Sequence, residues 1–264
     1  MRDDLVPLRP LLKLFGQILS ASLLIFSFDL RLHSFYGIFG VNELPVGVSY
    51  VLTIFTIIII TNSFNLIDGL DGLAGTIASV ALVAFGCWFY LVGDTIFAIF
   101  SFTMLGAILS FLIFNWEPSQ VFMGDTGALV IGMLLAIFAI HFINVNYELP
   151  SWDDHKFNAS VATAACFIII PLVDTMRIII LRLLKGQSPF KPDKSHIHHA
   201  IMRLGKTHSQ TTIILGIAQV FFISLAVILR SVPDQYMLIG VVLMAVILSV
   251  ILDRLILKKL EVSD

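Results

Sequence analysis

Residues 61–76 read Thr-Asn-Ser-Phe-Asn-Leu-Ile-Asp-Gly-Leu-Asp-Gly-Leu-Ala-Gly-Thr. Asn62, Asn65, Asp68 and Asp71 recur every third residue between two apolar runs, 47–62 and 73–92, that read as membrane spans. An α-helix turns about 100° per residue, so each three-residue step falls about 60° behind and an unbroken helix points Asn62 away from Asp71. Gly69 and Gly72 permit a break or tight turn, which would bend the four polar groups towards one site.

Working outward, the rest of the chain supplies more spans. Its 264 residues are 58% hydrophobic and 13% charged, with a mean hydropathy of +0.97. That composition suits a polytopic membrane protein and excludes an ordinary soluble domain. Apolar windows mark eight spans: 5–27, 47–62, 73–92, 95–114, 127–145, 158–181, 212–230 and 236–256. With no internal repeat and no soluble segment, the reading is all-α: one helical membrane domain over 1–264, embedded in the lipid bilayer. The first apolar run carries Pro7, Arg9, Pro10 and Lys13 in its leading half, which does not resemble a cleavable signal core. Cys87 and Cys166 both fall in apolar spans and read as small core residues, not a disulfide.

Charge gives the sidedness. Of the 16 Lys and Arg, alternate assignment leaves only Arg31, Lys156 and Arg230 on one side, and the positive-inside rule makes the other side cytoplasmic. Both termini are then expected in the cytoplasm, on the same side as Asp3-Asp4, the 62–71 stretch, the 115–126 connection and the 182–211 loop. The 146–157 connection opposite reads as a solvated linker with interfacial aromatics.

Each polar constellation has a bland and a chemical reading. Asp3 and Asp4, just before the first span, suit a helix N-cap, or a cation or proton site. Acids at membrane depth cost about 2.5–3.5 kcal/mol each on insertion scales, so Asp68 and Asp71 point to function by default. Asp125, between Gly124 and Thr126-Gly127 in Val-Phe-Met-Gly-Asp-Thr-Gly (121–127), is either a cap or an oxygen ligand for magnesium. Phe122 is an interfacial aromatic or a platform for a base. In Ser-Pro-Phe-Lys-Pro-Asp-Lys-Ser-His-Ile-His-His (188–199), Lys194 and its neighbours offer positive charge for phosphate. His196, His198 and His199 have no cysteine beside them to make a zinc site, so phosphate or sugar contact is the preferred reading. Asp174 is expected either to pair with Arg177, one turn on, or to support the site from behind.

Taken together and in order, Asp3-Asp4, Asn-Ser-Phe-Asn-Leu-Ile-Asp-Gly-Leu-Asp-Gly-Leu, Val-Phe-Met-Gly-Asp-Thr-Gly and the His-Ile-His-His loop resemble the polyprenyl-phosphate N-acetylhexosamine-1-phosphate transferase family. The His-Ile-His-His form resembles its bacterial branch that uses UDP-GlcNAc and undecaprenyl phosphate. The resemblance implies a Mg²⁺-dependent enzyme (Mn²⁺ as a substitute) of the bacterial plasma membrane, with its site facing the cytoplasm. UMP is released and undecaprenyl-PP-GlcNAc forms, the first membrane step of a cell-envelope polysaccharide. By that resemblance Asp125 and Asn65 hold the metal and Asp3 or Asp4 orients or deprotonates the lipid phosphate. Asn62, Asp68, Asp71, Phe122, Lys194, His196, His198 and His199 would bind substrate, with Asp174 and Arg177 behind them. No nucleic-acid partner is expected, and a homodimer is compatible with the family. Family members carry further spans before the Asp-Asp pair, so the chain is expected to lack them. The alternatives are the same chemistry on another UDP-N-acetylated sugar or UDP-MurNAc-pentapeptide, a cation-coupled transporter, and an inactive truncated homologue. Acids gathered at one surface argue against a transport site, which belongs near the midplane.

Overall fold

The structure, a computed structural model, describes residues 10–184, 186 and 196–263. Asp3, Asp4 and Lys194 lie outside the described residues. The helices are α1 (Pro10–Phe28), α2 (Val46–Ile67), α3 (Leu73–Leu91), α4 (Thr95–Asn115), α5 (Gly124–Glu148), α6 (Ser160–Phe167), α7 (Ile169–Leu184), α8 (Ile197–Arg203), α9 (His208–Ile228) and α10 (Asp234–Ser263). Seven of them are long and apolar enough to cross a bilayer. The chain is a multi-pass, all-helical membrane bundle.

The span expected at 158–181 is bent instead of straight: α6 and α7 meet at 91°. Pro171 explains the break, because it lacks an N–H and its ring crowds the carbonyl four residues back, that of Phe167. Backbone groups freed inside a bilayer need partners. Gln219 of α9, fully buried, supplies them. Its Nε2 donates to the carbonyls of Cys166 (3.1 Å) and Phe167, and its Oε1 accepts from Ile170 N at 3.2 Å. At the other end of α6, the Asp234 carboxylate accepts from Val161 N (3.2 Å) and Ala162 N (2.7 Å), capping the helix from α10.

Lipid is as apolar as leucine, so the helices associate through close packing. A Cβ on Gly132 of α5 would lie 2.9 Å from both the Thr61 Cα and carbonyl oxygen of α2. Gly75 and Gly86, three turns apart on α3, admit Leu112 and Ser101-Phe102 of α4 in the same way. Phe85, Phe89, Phe138, Phe142 and Phe167 fill the centre, with Phe85 and Phe167 centroids 5.0 Å apart. The acyl-facing helices α1, α4 and α10 bury least of their length.

Two expectations are corrected here. Cys87 is exposed on α3, while Cys166 is buried. The 146–157 segment is not a free linker, since Asn146 is still helical and fully buried. Its amide donates to Phe157 O (2.8 Å) and Ser160 Oγ (2.7 Å) and accepts from Phe157 N (2.9 Å), which pins the connection to the bundle. Trp152 is 83% exposed.

Candidate active site

The α2 helix stops at Ile67, where Asp68 leaves helical geometry (ψ 41°), and the chain turns through Gly72 at φ +73° into α3. Gly72 has no substitute: beyond its positive φ, a Cβ would sit 2.9 Å from the Trp116 ring. Its N–H donates to Asn115 Oδ1 (3.0 Å), and Asn115 Nδ2 donates to Val121 O (2.7 Å). One amide at the end of α4 thus clamps the 116–123 connection onto the break.

That connection delivers Asp125 in the first turn of α5. Its Oδ2 lies 2.6 Å from Lys13 Nζ of α1, a charge the sequence reading gives no place in the site. Asp125 is also felt by Asp68. Burial first, and then the Asp125 charge, push the Asp68 carboxyl up to about 7. Asn65, one turn before Asp68, has a buried Oδ1 with no hydrogen-bond partner among the described residues. These donors fit a magnesium ion: all are oxygen, two are carboxylates close enough to repel, and one is an amide oxygen lacking a donor. Among the described residues no three His, Cys, Asp or Glu gather around a common point. An ion here would take few protein ligands and keep positions for water and phosphate.

Asn62 is engaged elsewhere, exchanging amide hydrogen bonds with Gln17 of α1 (2.9 and 3.2 Å). Phe122 stands 75% exposed on the connection.

The histidines arrive from the far end of the chain. Buried Asp174 of α7 accepts from Ile197 N (2.8 Å), capping α8, and its other oxygen is 2.9 Å from His196 Nδ1. It therefore holds His196, while Arg177 Nε donates to Ser249 Oγ at 2.7 Å. The His196 and His198 rings stack at 5.5 Å and 10°, and His199 lies 4.3 Å from His198. His198 is 1% exposed, and both its ring nitrogens lack partners among the described residues. Burial pushes its imidazole down to about 4, so it is neutral. Its Nε2 would be 3.2 Å from a Cβ on Gly69, which puts the histidine cluster directly on the break.

The start of α9 closes the arrangement. His208 Nδ1 is 3.3 Å from Asp71 Oδ2, and Thr212 Oγ1 donates to Asp71 O at 3.1 Å. Ser209 N donates to Glu117 Oε2 at 2.7 Å, which holds the Glu117 carboxyl below its usual range. The structure thus gathers Asp68, Asp71, Asp125 and the three histidines on one face. Sequence reasoning misses Lys13, Asn115 and His208. Single polar residues at span ends are ordinary, and nothing in their spacing sets them apart.

A family model described as glycosyl transferase family 4 matches residues 1–143. Undecaprenyl-phosphate alpha-N-acetylglucosaminyl 1-phosphate transferase of Escherichia coli strain K12 is 37% identical over 218 residues, 80% of this chain and 57% of that protein. The Yersinia pestis protein of the same description is 32% identical over 244 residues (89% and 64%). A probable undecaprenyl-phosphate N-acetylglucosaminyl 1-phosphate transferase of Bacillus subtilis strain 168 is 29% identical over 236 residues (89% and 63%). The chain spans 57–64% of the length of these relatives. The family match covers more than half of its 264 residues, including the 62–71 stretch and Asp125, and the chain belongs to glycosyl transferase family 4.

Proposed function

We propose that this chain carries the reaction core of a transferase that moves GlcNAc-1-phosphate from UDP-GlcNAc to undecaprenyl phosphate, on the cytoplasmic face of a bacterial plasma membrane. A lipid-phosphate oxygen attacks the sugar-bearing phosphorus, the bond to UMP breaks, and a lipid diphosphate sugar forms. The product would start a cell-envelope polysaccharide. The observation that carries this reading is the meeting of three remote segments at one end of the helical bundle. The Asp68–Asp71 break, the Asp125 turn and the His196–His199 helix are knitted there by Asn115, Asp174 and His208.

Phosphoryl transfer asks for positioning and charge neutralisation above all. Magnesium held by Asp125 and Asn65 would supply that neutralisation on the diphosphate. Lys13 balances Asp125 from the side where α1 enters, at 2.6 Å. His196, oriented by Asp174, presents its other ring nitrogen to the donor phosphates, and neutral His198 can donate from one nitrogen into the break. Asp71, held by His208, is left to accept from the nucleotide's hydroxyl or N–H groups, and Phe122 offers an exposed ring for the uracil. Asp3 or Asp4 would orient or deprotonate the lipid phosphate.

The test uses membranes containing the full chain, labelled UDP-GlcNAc, undecaprenyl phosphate and magnesium. A butanol-extractable product with equimolar UMP supports the proposal. No product from folded protein overturns it, and labelled product with UDP-MurNAc-pentapeptide alone would move the assignment to the other sugar.

A further inference from the structure

On the face opposite the acidic break, a cavity of about 260 Å³ opens between α3, α9 and the 149–159 connection. Its walls are apolar, from Ala84 and Cys87 on α3 to Ile223 and Val227 on α9. Its rim is polar, with Arg230, His155 and Asp154. Hydrogen bonds fix that rim: Trp88 Nε1 donates to His155 O (2.9 Å), Asn158 N to Arg230 O (2.8 Å) and Arg230 Nη1 to Asp154 O (2.6 Å).

The three basic side chains on this face are used differently. Arg31 Nε is 2.8 Å from the Asp29 carboxylate, and Lys156 Nζ caps the Tyr147 and Leu149 carbonyls that end α5. Arg230 has no carboxylate partner among the described residues, and Asp154 meets it through a carbonyl only. A guanidinium with no ion pair among the described residues therefore stands over an apolar slot between α3 and α9. A guanidinium matches phosphate with a fork of donors, and an apolar slot beside it suits an acyl chain.

We propose that this cavity binds a monoanionic phospholipid, its phosphate on Arg230 and one acyl chain between α3 and α9. The Asp154 carboxylate at the rim disfavours headgroups of higher charge. The site is separate from the transferase reading and stands without it.

The test is native mass spectrometry of the detergent-solubilised full chain with phosphatidylglycerol or phosphatidylcholine, together with N-ethylmaleimide alkylation of Cys87 in the cavity wall. One phosphatidylglycerol should be retained with at least tenfold preference over phosphatidylcholine and should slow Cys87 alkylation at least fivefold. Arg230→Gln should lose both effects at an unchanged melting temperature, and Arg230→Lys should keep most of the preference. Inorganic phosphate should leave alkylation unchanged. The proposal is overturned by equal retention of the two lipids, by protection from phosphate alone, or by Arg230→Gln behaving as the parent. It is equally overturned if Arg230→Gln changes the oligomer mass, which would identify a second copy as the occupant.

Discussion

Lys13 and Asp68 set the charge at the break from opposite directions, one by balancing Asp125 and the other by holding a proton beside it. On the proposed magnesium site, Lys13→Met and Asp125→Asn should both lower turnover at least about tenfold, because both disturb charge placement. They should nevertheless move the magnesium dependence in opposite directions. Losing the ammonium lowers the half-saturating concentration by about threefold or more, and losing the carboxylate raises it. Equal shifts in a magnesium titration would remove Asp125 from the ligand set. Asp68 gives a prediction independent of turnover. Its folded carboxyl is raised to about 7, whereas an unfolded aspartate ionises near ~4. Between those values the folded chain holds a proton that the unfolded chain lacks. The stabilisation is therefore complete below pH ~4 and is lost as pH rises through about 7. In chelator, Asp68→Asn should melt higher than the parent at pH 8 and level with it near pH 4. The same melting difference at both pH values would refute the raised carboxyl. The acids and histidines were legible in the sequence because charge at membrane depth is conspicuous. Lys13, Asn115 and His208 were not, because their meaning depends on which helix lies alongside.

Among elements, packing rests on contacts too close for a side chain. Gly132→Ala meets the Thr61 backbone at 2.9 Å, which cannot move aside as a side-chain tip would. It should separate α2 from α5 and cost about 1–3 kcal/mol, as overpacking usually does. Gly106→Ala on α4 meets nothing within 4 Å and should be neutral. Thermal melting of the two variants in one detergent checks the contrast. Helix limits were readable to a few residues, as with 95–114 against Thr95–Asn115, because a bilayer fixes the length of an apolar run. The bend inside 158–181 was not, since hydropathy is the same for a straight and a broken span. Pro171 was the sole local sign, and its consequence depended on Gln219, half a hundred positions away.

For the molecule as a whole, the proposed cytoplasmic site makes a prediction about topology. The break, the Asp125 turn and the histidines lie on the face that the positive-inside rule assigns to the cytoplasm. Single cysteines at Phe122 (75% exposed) and Trp152 (83% exposed), placed in a Cys87→Ser, Cys166→Ala background, test this. In sealed vesicles of known orientation, an impermeant maleimide should label position 122 only from the cytoplasmic side and position 152 only from the other. Labelling of both from one side would break the topology.

Gln219 ties these scales together. It fastens the carbonyl end of α6 and the opening N–H of α7 to α9, and α7 carries the carboxylate that aims His196. A lone amide eleven positions along α9 from His208 thus works as a hinge pin. Were it slack, the imidazoles would swing away from the aspartates even though every residue they share stayed in place.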